Sequence, residues 1–134
     1  MARVLVVEDQ AENLELMVYL LKAFGHETLT ARDGAEGVAV VTRDRPDLVV
    51  MDLQMPVMDG YEAGALIKAD PVLSAIPLVA VTAYAMVGDR ERIMACGFDG
   101  YMTKPIDPQT FVRELELHLA PSARSAARQP RQEG

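Results

Sequence analysis

The stretch Asp47–Gly60, DLVVMDLQMPVMDG, decides the fold of this chain. Leu48 to Met51 is a short apolar run entered from Pro46, and a run of that kind between breakers is a buried strand. Asp52 stands where the strand ends. Pro56, Asp59 and Gly60 then mark a loop and the start of a helix. Ligands of open α/β sheets sit beyond the carboxyl ends of the strands. Asp52 is therefore a carboxylate placed where such folds do their chemistry.

Outward from this stretch, strand and helix patterns alternate. Val4 to Val7 is a Val-rich strand ending at Glu8 and Asp9. Leu14, Met17, Val18 and Leu21 recur at helical spacing, and Gly25 stops that helix. Glu27 to Thr30 is a second strand, more polar and so at a sheet edge. Asp33 and Gly34 open a helix with Ala35, Val38 and Ala39 on its apolar face, which Pro46 ends. Beyond Asp52, Asp59 caps a third helix carrying Ala63, Leu66 and Ile67. Leu78 to Val81 is a fourth strand with Thr82 at its end, and Asp89 to Cys96 a fourth helix. A fifth strand lies around Tyr101 and Met102. Asp107-Pro108 has the pattern of an N-cap followed by proline at the first helical position, ahead of Phe111, Val112, Leu115 and Leu119. This alternation predicts a parallel sheet covered on both faces, with right-handed crossovers.

The chain of 134 residues suits one domain. The expected boundaries are 1–120 for the domain and 121–134 for a mobile polar tail rich in Ala, Ser, Arg, Gln and Pro. The formal charge is −7, and residues 1–120 carry 10 basic against 19 acidic residues. So acidic a body argues against direct, sequence-independent nucleic-acid binding and favours a cation site. Cys96 is the only cysteine, which excludes an intrachain disulfide and fits a cytoplasmic location. MARVLVVEDQ reaches acid too soon for a signal peptide, and no run of about 20 apolar residues predicts membrane insertion.

A parallel sheet brings Glu8, Asp9, Asp52, Thr82 and Lys104 to one edge. At ~4 Å and an effective dielectric near 20, each pair of carboxylates there costs about 4 kcal/mol. Raised pKa values, Lys104 or a hard cation must offset that, and carboxylates with water positions suit Mg²⁺. A carboxylate is also a competent covalent nucleophile. Asp52 would receive a phosphoryl group whose oxygens are met by Mg²⁺ on Asp9 and Asp52, with Glu8 assisting through water, by Lys104 and by the Thr82 hydroxyl. Each residue alone has a plainer reading, as a helix cap, a turn residue or a solvated charge. The combination carries the argument.

VLVVEDQ, VVMDLQMPVMDG, VAVTAYA and GYMTKPID occur in that order between Val4 and Asp107, within a resemblance that covers about residues 3–119. On these pieces the chain resembles the receiver domain of bacterial two-component response regulators. The resemblance implies a flavodoxin-like (βα)5 fold with strand order 2-1-3-4-5. It implies that Asp52 is the phospho-acceptor, loaded from a phosphohistidine on a histidine kinase or phosphotransfer protein in two-component signalling or a phosphorelay. It implies Glu8, Asp9, Asp52 and the backbone carbonyl of Gln54 as ligands of Mg²⁺, with Mn²⁺ as a substitute. Lys104 becomes the phosphate-contacting lysine, followed by a cis bond to Pro105. Thr82 and Tyr101 become a switch pair that repacks the surface of the fourth helix, fifth strand and fifth helix. Glu8 stands where Asp is commoner. Gln54 and Tyr84, two residues past Asp52 and Thr82, are not strong bases, which implies a long-lived phosphoryl group.

With about 14 polar residues after Ala120, the expected form is a stand-alone regulator that acts on a protein target, as a monomer or weak homodimer. Asn13, Leu14, Met17 and Ile106 are candidate kinase-facing residues, Met17 being better explained as core. The alternative is a receiver fragment of a hybrid histidine kinase or larger regulator. The expectation is a phospho-acceptor that assists its own phosphorylation and dephosphorylation, not a turnover enzyme. A haloacid-dehalogenase-like phosphatase would need an acid where Gln54 stands. A flavin carrier would need a Ser/Thr/Gly-rich phosphate loop where Glu8 and Asp9 stand.

Overall fold

The computed structural model describes residues 2–83 and 87–124. Tyr84 and residues 125–134 of the expected tail lie outside the described residues. Five strands, β1 (Arg3–Val7), β2 (Glu27–Ala31), β3 (Leu48–Asp52), β4 (Leu78–Thr82) and β5 (Gly100–Thr103), form one parallel sheet in the order β2-β1-β3-β4-β5. The helices are α1 (Ala11–Ala23), α2 (Gly34–Asp44), α3 (Gly60–Ala69), α4 (Val87–Ala95) and α5 (Phe111–Glu116). Short 3-10 turns occupy Leu73–Ala75 and Pro121–Ala123.

The period of two along each strand divides the core. Val4, Val6, Leu48, Val50, Val79 and Val81 pack on one face with Met17 and Leu21 of α1 and Phe111 and Leu115 of α5. Leu5, Val7, Val49, Met51, Leu78 and Ala80 pack on the other with Val41 of α2, Ile67 of α3 and Ile93 of α4. All five residues of β3 and of β4 are buried, as expected of central strands covered on both sides. The more polar β2 lies at the edge.

Three helix readings need correction. The buried face of α2 is Gly34, Gly37, Val40 and Val41, whereas Ala35 and Ala39 are exposed. A Cβ on Gly37 would lie 3.1 Å from Val7, so α2 approaches the sheet at a position that carries no side chain. Leu66 is exposed on α3, whose buried residues include Tyr61, Ala63, Gly64 and Ile67. Regular α5 begins at Phe111, not Pro108. Asp107 instead closes a turn, its carboxylate accepting from Gln109 N at 2.9 Å and its carbonyl from Phe111 N at 2.9 Å.

Candidate functional site

The parallel register brings the strand ends together. Val7 pairs with Ala31 and Met51, Asp52 with Val81, and Thr82 with Thr103. Glu8, Asp9, Asp52, Thr82 and Lys104 thus reach one edge. The β3–α3 loop folds back over it because Asp59 caps α3, accepting from Glu62 N at 2.9 Å. Gly60 N donates to the Leu53 carbonyl at 3.0 Å. A Cβ on Gly60 would sit 2.4 Å from the Asp52 carbonyl oxygen, so only glycine allows this return.

Lys104 Nζ lies 3.1 Å from Asp52 Oδ2 and 3.2 Å from Glu8 Oε1. Asp52 Oδ1 accepts from Gln54 N at 3.2 Å, and Glu8 Oε2 from Gln10 N at 3.2 Å. Glu8 is 0 % and Asp52 3 % exposed. Among the described residues, Glu8 Oε1 is the buried side-chain oxygen or nitrogen that lacks a hydrogen bond; Lys104 is near enough for charge attraction but not aimed at it. Burial, then the charge of Asp52, pushes the Glu8 carboxyl up to about 7. Burial pulls the Lys104 ammonium down, but the hydrogen bond and charge of Asp52, joined by Glu8, outweigh it and raise its pKa.

Potential ligand oxygens of Glu8, Asp9 and Asp52 lie within 4.8 Å of one another. Thr82 Oγ1 is 3.5 Å from Gln54 Oε1. The Lys104–Pro105 peptide is cis. Tyr101 stands apart from the acids: it is half-buried and its hydroxyl accepts from Arg90 Nε of α4 at 2.8 Å. Asn13, Met17 and Ile106 line a cavity of about 70 Å³ beside Lys104 and Pro105. Leu14 is half-buried against the core, and Met17 is a core residue.

The family model of the response regulator receiver domain matches residues 4–116. The chain belongs to that family. It is 40% identical over 116 residues to the polar-differentiation response regulator DivK of Brucella anthropi, covering 87% of this chain and 94% of DivK. The signal receiver domain of a signal transduction histidine kinase from Syntrophus aciditrophicus superposes with a TM-score of 0.84 at 31% identity, covering 95% of this chain and 96% of that one. The receiver domain of a Pseudomonas aeruginosa sensor histidine kinase, which has a magnesium ion coordinated in its active-site cleft, superposes with a TM-score of 0.80 at 33% identity, covering 87% and 95%.

Response regulator receivers work in phosphorylation-dependent two-component signalling, with histidine kinase or phosphotransfer partners and a downstream target. Receivers bind Mg²⁺ at an acidic pocket, and the acidic cluster of this chain is Glu8, Asp9 and Asp52. The donor set fits a hard cation, being all oxygen, with one buried Glu8 oxygen left without a hydrogen bond. Among the described residues, no helix is long and apolar enough to cross a membrane.

Sequence reasoning missed Arg32, whose guanidinium reaches the Asp9 carbonyl at 3.0 Å, and it read Gly34 and Gly60 as turn residues without the close backbone approach that each allows. The turn signals at Asp33-Gly34 and Asp59-Gly60 were the available clue to the glycines. Nothing in spacing pointed to Arg32.

Proposed function

We propose that this receiver accepts a phosphoryl group on Asp52 from a phosphohistidine of a histidine kinase or phosphotransfer protein. An Asp52 carboxylate oxygen attacks phosphorus, the P–N bond to the donor imidazole breaks, and its electron pair leaves with the imidazole. An acyl phosphate forms on Asp52. Lys104 follows the negative charge from the carboxylate to the phosphoryl oxygens, and the Thr82 hydroxyl donates to another. Glu8, Asp9, Asp52 and the Gln54 backbone carbonyl would hold Mg²⁺ (Mn²⁺ serving as well), which offsets charge on the phosphoryl oxygens when bound.

One observation carries this reading. Glu8, Asp9 and Asp52 bring carboxylate oxygens within 4.8 Å of one another around Lys104, so the site gathers more carboxylates than its lysine can neutralise. A site built only for stability would pair those groups fully.

The output is a change of surface. As Thr82 turns to the phosphoryl group, the Tyr101 ring leaves Arg90 and turns inward, repacking α4, β5 and α5 for a downstream protein. Residues 1–120 act as this unit and 121–134 as a polar tail. Gln54 and Tyr84 offer no strong base for hydrolysis, so the acyl phosphate persists; a half-life of seconds would contradict that point.

The test is transfer from a radiolabelled phosphohistidine donor. Label should reach the wild type in the presence of Mg²⁺ and be lost with Asp52→Ala. Equal labelling of the variant refutes the assignment.

A further inference from the structure

Glu8 and Asp9 lie on the loop after β1 and Asp52 at the end of β3, and the loops that follow these two strands both lean on the turn between β2 and α2. Val7 pairs with Ala31, and Glu8 N continues the ladder by donating to the Ala31 carbonyl at 3.0 Å. Beyond that the ladder ends. Asp9 is tied across the gap by Arg32, whose Nη2 donates to the Asp9 carbonyl oxygen at 3.0 Å. On the other side, Gly34 N donates to the Met58 carbonyl at 2.9 Å. A Cβ on Gly34 would lie 2.3 Å from that oxygen, so the β3–α3 loop presses directly on the turn.

The turn itself is held. Asp33 Oδ1 accepts from Glu36 N at 2.8 Å, and Glu36 Oε1 accepts from Arg32 N at 2.8 Å. This reciprocal arrangement, close to a capping box, fixes the backbone from which the Arg32 side chain projects. Arg32 is exposed and its guanidinium bonds a backbone carbonyl rather than any of the three carboxylates. A guanidinium placed only for charge would seek a carboxylate.

We propose that Arg32 is a positioning residue of the phospho-acceptor site. From the fixed start of α2 it holds the Asp9 carbonyl, and through it the direction of the Asp9 carboxylate. This rests on the reading of Glu8, Asp9 and Asp52 as a cation-binding set. The two possible effects of Arg32 on a cation have opposite signs. As a positive charge beside the cluster it repels Mg²⁺. As a restraint on Asp9 it pre-organises a ligand and strengthens Mg²⁺ binding. The carbonyl contact makes the restraint the larger effect.

Calorimetric titration of MgCl₂ into the full chain separates these. Wild type should bind, and Asp9→Asn should lose most of that binding. Arg32→Ala should raise the Mg²⁺ Kd about tenfold. Arg32→Gln, which keeps a neutral donor for the carbonyl, should fall between the two. Phosphorylation of Arg32→Ala by a small phosphodonor should stay within about twofold of wild type at saturating Mg²⁺, its defect appearing in the Mg²⁺ concentration required. Wild-type binding that depends on Asp9 together with an unchanged or tighter Kd in Arg32→Ala overturns the positioning role alone. Absence of Mg²⁺ binding by wild type, or binding indifferent to Asp9→Asn, overturns the cation-binding reading and this inference with it.

Discussion

The two ends of the sheet bury ionisable groups in opposite ways. At the carboxyl edge, Glu8 and Asp52 share Lys104, and Glu8 Oε1 has no hydrogen bond. At the amino edge, His26 and Glu116 are 0 % and 1 % exposed and meet at 2.6 Å. His26 Nδ1 accepts from Ala2 N at 3.0 Å, which leaves the proton on Nε2 to donate to Glu116 Oε2. That contact joins the approach to β2 with the end of α5. The carboxyl edge is left open to a further positive charge. The difference separates a structural pair from a site: burial is common to both, and unmet bonding capacity belongs to one.

The comparison breaks most clearly at the amino edge. His26→Ala should cost about 4 kcal/mol of unfolding free energy by urea denaturation, because it takes the Nε2 donor away from a buried Glu116 side chain. A loss under about 1 kcal/mol would show that the pair is not structural.

The next effect is in pH. Between its ordinary value of 4.5 and about 7, Glu8 keeps a proton in the folded protein that the unfolded chain has released. The folded state binds more protons, so stability falls as pH rises through that window. Without Mg²⁺ the Glu8 contribution to that fall should be on the order of 3 kcal/mol. Saturating Mg²⁺ should flatten it, since a cation replaces the proton. Denaturation curves across the window, with and without Mg²⁺, check the sign.

Glu8→Gln removes the titrating group. It should stabilise the Mg²⁺-free protein by about 2 kcal/mol at neutral pH and by little near pH 5. Removing a buried carboxylate thus has the reverse sign of breaking the pair at the other end. A destabilised Glu8→Gln protein at neutral pH would erase the contrast.

The smallest effect lies on the loop over the site. Val57 has φ 68 and is 85 % exposed, and Met58 N donates to the Pro56 carbonyl at 2.7 Å across it. A β-branched residue at the centre of such a three-residue turn is strained. Val57→Gly should raise stability by about 1 kcal/mol in the same urea assay; a loss of that size would mean the Val side chain favours the turn.

Sequence exposed these features unevenly. Asp52, Glu8, Asp9, Thr82 and Lys104 were legible because strand ends are marked by apolar runs turning polar, and a parallel sheet sends all those ends to one edge. Helix faces were harder. Gly37 gives no hydropathy signal, yet it is where α2 comes closest to Val7, so periodicity chose Ala35 and Ala39 instead. His26 and Glu116 are 90 residues apart, and Arg32 meets Asp9 across 23. Such contacts depend on how elements dock, which local pattern does not encode.

Site-mapped phosphorylation tests the account most directly. The protein would be incubated with a small phosphodonor, with and without Mg²⁺, and its peptides examined by tandem mass spectrometry. The account predicts a Mg²⁺-dependent, base-labile phosphoryl group on Asp52. A phosphoryl group on another residue, or none under conditions where Mg²⁺ binds, would contradict it.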